Sequence, residues 1–100
     1  MFDLSTIIGF EWDAGNDRKN HKHGVSMAEA EQIFFNAPLL LVDDVAHSQD
    51  EVRFHALGQT DERRPLHITF TLRRSGELIR VISARDAHKK ERSVYEQADR

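Results

Sequence analysis

The chain has no cysteine, two prolines and five glycines among its 100 residues. Without cysteine there is no disulfide framework, no zinc ribbon and no thiol nucleophile. The longest purely aliphatic run, Leu39-Leu40-Leu41-Val42, is far too short to span a membrane. No basic-then-apolar segment opens the chain, since Met1-Phe2-Asp3-Leu4 is acidic, so the expected location is the cytoplasm. A positive surplus is missing as well: 14 Lys and Arg stand against 17 Asp and Glu, a net charge of −3. Strong non-specific nucleic-acid binders draw most of their affinity from neutralising phosphates. Any nucleic-acid role here must therefore come from a local basic cluster or from a partner. The glycines form no phosphate loop, and there is no Gly-x-Ser-x-Gly elbow.

With 39% hydrophobic and 31% charged residues, the composition is that of one globular domain over residues 1–100. Residues 7–13 read as a first strand with Ile8, Phe10 and Trp12 on one face, and Asp13 caps a helix over 14–22 that Gly24 closes. Ser26-Met27-Ala28-Glu29 matches a capping box, and Met27, Ala30, Ile33 and Phe34 follow at helical spacing, predicting a helix over 27–36. From Leu39 the period changes to two. Leu39–Val42, residues 52–58, residues 66–73 and Leu78–Ser83 read as four strands, the last two joined by the turn Arg74-Ser75-Gly76-Glu77. A polar, helix-prone tail follows Asp86, with Val94 and Tyr95 as its apolar contacts. The order β-α-α-β-β-β-β-α predicts an α+β domain with helices packed on a small antiparallel sheet.

Six histidines invite a metal hypothesis, but the only close pair, His21-x-His23, lacks the spacing of three or four that helical ligands need. No metal or other cofactor is expected. What remains is a set of basic and hydrogen-bonding side chains alternating with core residues. Arg53 and His55 oppose Val52 and Phe54, His67, Thr69, Thr71 and Arg73 share a face, and Arg80 interrupts an apolar strand. Arg85 lies where the last strand meets the final helix, and Lys89, Lys90 and Arg92 follow it. Guanidiniums converging on one face make a local positive cleft that can hold a phosphate through paired hydrogen bonds. The plainer alternatives are a solvated sheet face, an ion pair of Arg80 with Glu11, Glu51 or Asp86, and a helix C-cap for Lys22-His23.

Several segments taken together resemble one family. Phe10-Glu11-Trp12-Asp13, Lys22-His23-Gly24-Val25-Ser26 and Glu29-Ala30 with Phe34 are similar to the N-terminal half of BrnT-type toxins of bacterial toxin–antitoxin pairs. Asp44 and His47, Glu51-x-Arg53, Gly58, Ile82-Ser83-Ala84-Arg85, Glu91-Arg92 and Tyr95 are similar to the rest, so the resemblance covers about residues 9–96. It departs in one place. Family members usually carry Asn four positions before the His of Lys-His-Gly, whereas Asn20 is three before His23.

The resemblance implies a RelE-like ribonuclease that blocks translation. It also implies a BrnA-like ribbon-helix-helix antitoxin that supplies operator DNA binding, which fits a chain with no positive surplus. Metal-independent cleavage, in which the ribose 2′-hydroxyl attacks the adjacent phosphate to leave a cyclic phosphate, requires a base, an acid and cations. His23 is the first candidate for proton transfer, because an imidazole with a pKa of about 6.5 serves in either direction. Lys22, Arg53 and Arg85 are expected to stabilise the phosphate, with assistance from Glu51. Arg73, Arg80, Lys89 and Tyr95 are expected to bind RNA. The rival expectation is a non-catalytic interaction domain acting with a DNA-binding partner in autoregulation.

Overall fold

The computed structural model describes residues 4–13, 15, 23–47 and 51–99. Five strands, β1 (Gly9–Glu11), β2 (Leu40–Asp43), β3 (Arg53–Gln59), β4 (Pro65–Arg73) and β5 (Leu78–Asp86), form one sheet in the order β1-β5-β4-β3-β2. Two α-helices lie wholly among the described residues, α1 (Met27–Gln32) and α2 (Lys89–Ala98). Of the helix expected over 14–22, Gly15 is helical, and the other residues, Asn20 and Lys22 among them, lie outside the described residues.

The capping box forms as read. Ser26 Oγ accepts from the Glu29 amide at 3.1 Å, and the Glu29 carboxylate accepts from the Ser26 amide at 3.2 Å. α1 then tightens into a 3₁₀ turn, Ile33–Phe35, before Asn36-Ala37-Pro38 ends the run. A second anchor joins three distant segments. The Arg64 guanidinium, in the turn between β3 and β4, donates to the Gly24 carbonyl (3.0 Å), to Glu29 (3.0 Å) and to Asp86 (2.7 and 3.1 Å). Both carboxyls are held below their ordinary range, Asp86 chiefly by these hydrogen bonds and Glu29 chiefly by the Ser26 amide.

β2 to β5 run antiparallel to their neighbours, while β1 joins the edge of β5 in parallel, with Gly9 opposite Leu78. The sheet is therefore mixed rather than purely antiparallel. The long intervening chain lets β1 return to the far edge in either direction. Strict alternation on β3 and β4 places Phe54, Ala56, Leu66, Ile68 and Phe70 in the core against Val25, Ala30 and Ile33. Phe70 takes the Phe34 ring edge-on at 5.2 Å and stacks on Phe54 at 5.4 Å. Phe10 and Trp12 pack on this core, but Ile8 precedes β1 and is 74% exposed, so the expected three-residue face is broken.

The apolar residues on both faces of β5 have a local cause. Register passes from Thr69–Ser83 to Phe70–Val81, leaving Ile82 as an extra residue with no partner opposite. This β-bulge shifts the alternation by one. Ile79, Val81 and Ala84 thus all reach the core, while Arg80 and Arg85 share the other face.

Candidate active site

The face away from α1 is built in rows across the strands. One row holds Arg53, Thr71, Arg80 and Glu11, the next Val42, His55, Thr69 and Ser83, and the third Leu40, Leu57, His67 and Arg85. α2 packs over the last row. Its Tyr95 is buried, and the Tyr95 hydroxyl donates to the Pro38 carbonyl at 2.7 Å.

On this face Arg73, Arg80 and Arg85 each meet carboxylates. Arg80 donates to Glu11 at 2.8 Å and to Asp13, which realises its ion-pair alternative. Arg73 donates to Glu51 at 2.7 Å and lies 3.7 Å from Glu11. Arg85 grips Glu91 with both terminal nitrogens at 2.8 and 3.1 Å. Those bonds hold the Glu91 carboxyl down to about 2. Among the described residues, then, this face is not the positive cleft that cation convergence alone predicts. It is a lattice of alternating charge that holds the guanidiniums of Arg73, Arg80 and Arg85 in one orientation.

Between the Arg53 and Arg85 ends stand two imidazoles, His55 and His67, with ring centroids 4.8 Å apart. His55 Nε2 lies 3.0 Å from the buried carboxylate of Asp44, and its Nδ1 lies 3.1 Å from Thr69 Oγ1. A carboxylate only accepts, so Nε2 carries the proton and Nδ1 of the neutral ring offers its lone pair to the Thr69 hydroxyl. His67 is different. Burial first, and then the charge of Arg85, push it down to about 4. Its 3.8 Å approach to Glu91 is consequently not an ion pair at neutral pH.

This sets a pH dependence. Unfolded, His67 titrates near the ordinary 6.5, whereas folded it stays neutral to about 4. The unfolded chain therefore binds the extra proton within that window, and stability falls as pH drops from 6.5 toward 4. Urea midpoints measured from pH 7 to pH 4 should decline, and His67→Phe should flatten the decline. An unchanged slope in the variant would remove His67 as its source.

Of the other expected site residues, Glu51 reaches this face through Arg73, and Lys89 is exposed in the first turn of α2. Tyr95 spends its hydroxyl inside the fold. His23 is exposed beside Gly24, whose carbonyl Arg64 ties to Asp86. Of the arginines expected to bear on the phosphate, Arg85 stands beside Asp86 at this end of β5, whereas Arg53 stands in the row of Arg80 toward the other end. The side chain of His47 and all of Lys22 fall outside the described residues.

The sequence profile of the ribonuclease toxin BrnT, of type II toxin–antitoxin systems, matches residues 12–91. The chain belongs to this family. Comparison with curated proteins gives no match. The BrnT match takes in β2 to β5, both histidines, Asp44 and the Arg85–Glu91 pair, while Tyr95 and most of α2 lie beyond it. A BrnT toxin is a ribonuclease, so its substrate is RNA and its partner is an antitoxin. Among the described residues no helix is long and apolar enough to cross a membrane. Sequence reading placed His55 and His67 on this face by alternation but gave neither a role. The missing signal was Asp44, which comes under His55 only through the antiparallel pairing of β2 with β3.

Proposed function

We propose that this chain cleaves RNA without a metal ion on the sheet face away from α1. The observation that carries the reading is the pair of imidazoles standing between Arg53 and Arg85, one of them oriented by a buried carboxylate. The Thr69 and Ser83 hydroxyls and the two guanidiniums surround the place of the scissile phosphate. The ribose 2′-oxygen displaces Thr69 as the partner of His55 Nδ1 and gives up its proton there. Asp44 then stabilises the imidazolium that forms. The 2′-oxygen–phosphorus bond forms as the bond to the 5′-oxygen breaks, leaving a 2′,3′-cyclic phosphate. The 5′-oxygen leaves with a proton, and the groups put forward to supply it are His23 and Lys22. Arg53 and Arg85 bear on the phosphate charge, Glu51 holds Arg73 in place, and Arg73, Arg80 and Lys89 face the flanking strand. Cleavage of message blocks translation. The antitoxin is of the ribbon-helix-helix type and brings the operator DNA contacts that a chain of net charge −3 does not supply.

The test is cleavage of RNA by the purified protein in excess EDTA, with end-group analysis of the products. Persistent cutting with cyclic-phosphate ends is expected. Activity that vanishes in EDTA and returns with Mg²⁺, or products bearing 5′-phosphates, would overturn the mechanism. Intact RNA under all conditions, with no growth arrest on expression, would place the chain among non-catalytic interaction domains.

A further inference from the structure

Against the two imidazoles opens a cavity of about 230 Å³ whose other walls are Leu40, Val42 and Leu57 of the sheet and Glu91 and Val94 of α2. Glu91 is taken up by Arg85, and phosphate chemistry has no use for the aliphatic walls. Val42 is 57% exposed and Val94 55% exposed, so apolar surface is kept open to water at both lips of a site otherwise made of charges and hydroxyls. The volume is below the roughly 300–1,000 Å³ typical of drug-sized ligands, so it suits one planar ring system and no more. Its mouth adjoins the row on which the scissile phosphate is placed. A base attached to the neighbouring ribose comes within reach of the cavity only if it leaves its stack.

We infer that this cavity receives a single unstacked nucleobase beside the cleaved bond, packed among the imidazole rings and the aliphatic side chains, and thereby restricts the enzyme to single-stranded RNA. The inference rests on the placement of the reaction under Proposed function. In A-form duplex the bases are stacked and paired, so none can enter without the cost of opening the helix. In a single strand the base turns in freely, and stacking against side chains is insensitive to base identity because every base has a flat face. His55 and His67 thus have two functions: proton handling at their nitrogens and packing at their rings.

The experiment uses the whole chain and a short 2′-fluoro oligoribonucleotide, which lacks the attacking hydroxyl, so that binding is read apart from cleavage. One abasic position is walked along the strand while affinity is followed by fluorescence anisotropy. At one position the abasic sugar should weaken binding by about 5- to 150-fold, the range set by one stacked base. Val94→Trp, which fills the cavity from an exposed helix position, should bind the intact strand as poorly as the wild type binds the abasic one. It should also be indifferent to the abasic position. The duplexed oligonucleotide should bind no better than the abasic strand. Equal affinity for intact and abasic strands at every position, or for single strand and duplex, would overturn the base pocket and leave metal-free cleavage untouched. Loss of cleavage in EDTA with the abasic effect intact would overturn the chemistry and leave the pocket.

Discussion

Replacing Gly58 with valine should abolish cooperative folding. A β-carbon on Gly58 would sit 2.8 Å from Ile33 Cβ, 3.2 Å from the Ile33 carbonyl oxygen and 3.3 Å from its Cδ1. Ile33 is fully buried, and it belongs to the 3₁₀ turn where the helical layer comes down onto β3. The closest atoms are near the backbone, so no rotamer change relieves the overlap, and the whole turn must lift from the sheet. Extra methylenes forced into a packed interior cost about 1–3 kcal/mol, and small domains have only about 5–15 kcal/mol in total. Gly58→Ala should lower the urea midpoint markedly, and Gly58→Val, with two further carbons, should show no folded baseline by circular dichroism. Ile33→Ala should not rescue either variant, because alanine keeps the β-carbon that is struck. A Gly58→Val protein with the wild-type midpoint would mean that the two layers are not held at this distance.

The second large effect concerns His55. His55→Ala should retain the fold, since the ring lies on the open face, and should reduce single-turnover RNA cleavage by about 10²- to 10⁴-fold, the usual worth of a positioned acid or base. His55→Gln, which keeps hydrogen bonding but cannot carry a proton, should be equally impaired. Asp44→Asn should fall between these variants and wild type, because the ring then loses both its fixed tautomer and the charge that stabilises it. His23→Ala provides the decisive comparison. If His23→Ala abolishes cleavage while His55→Ala cuts at the wild-type rate, proton abstraction belongs at the start of α1 and not on the sheet face.

The period-two pattern of residues 66–73 and the Ser26–Glu29 capping box carried β4 and α1 directly, because both signals depend on neighbours within a few positions. Alternation likewise delivered Arg53, His55, His67 and Arg73 to one face. What local pattern could not show was long-range pairing. Arg80 meets Glu11 across 69 positions and Arg73 meets Glu51 across 22, and these carboxylates turn an expected basic cleft into a charge-balanced one. Arg64, surrounded in sequence by turn residues, gave no hint that it fastens Gly24, Glu29 and Asp86 together. The parallel seating of β1 was equally hidden, whereas the offset at Ile82 left a trace in the adjacent apolar pairs Leu78-Ile79 and Val81-Ile82, which break the alternation.

That offset has a mechanical result. Over the stretch it shares with β4, β5 uses one residue more, and a ribbon whose adjoining strips differ in length bends out of plane. The tiers bearing Arg80 and Arg85 consequently meet at an angle. A stiff rod laid on the surface rests on one tier, and only a supple thread follows the curve across both.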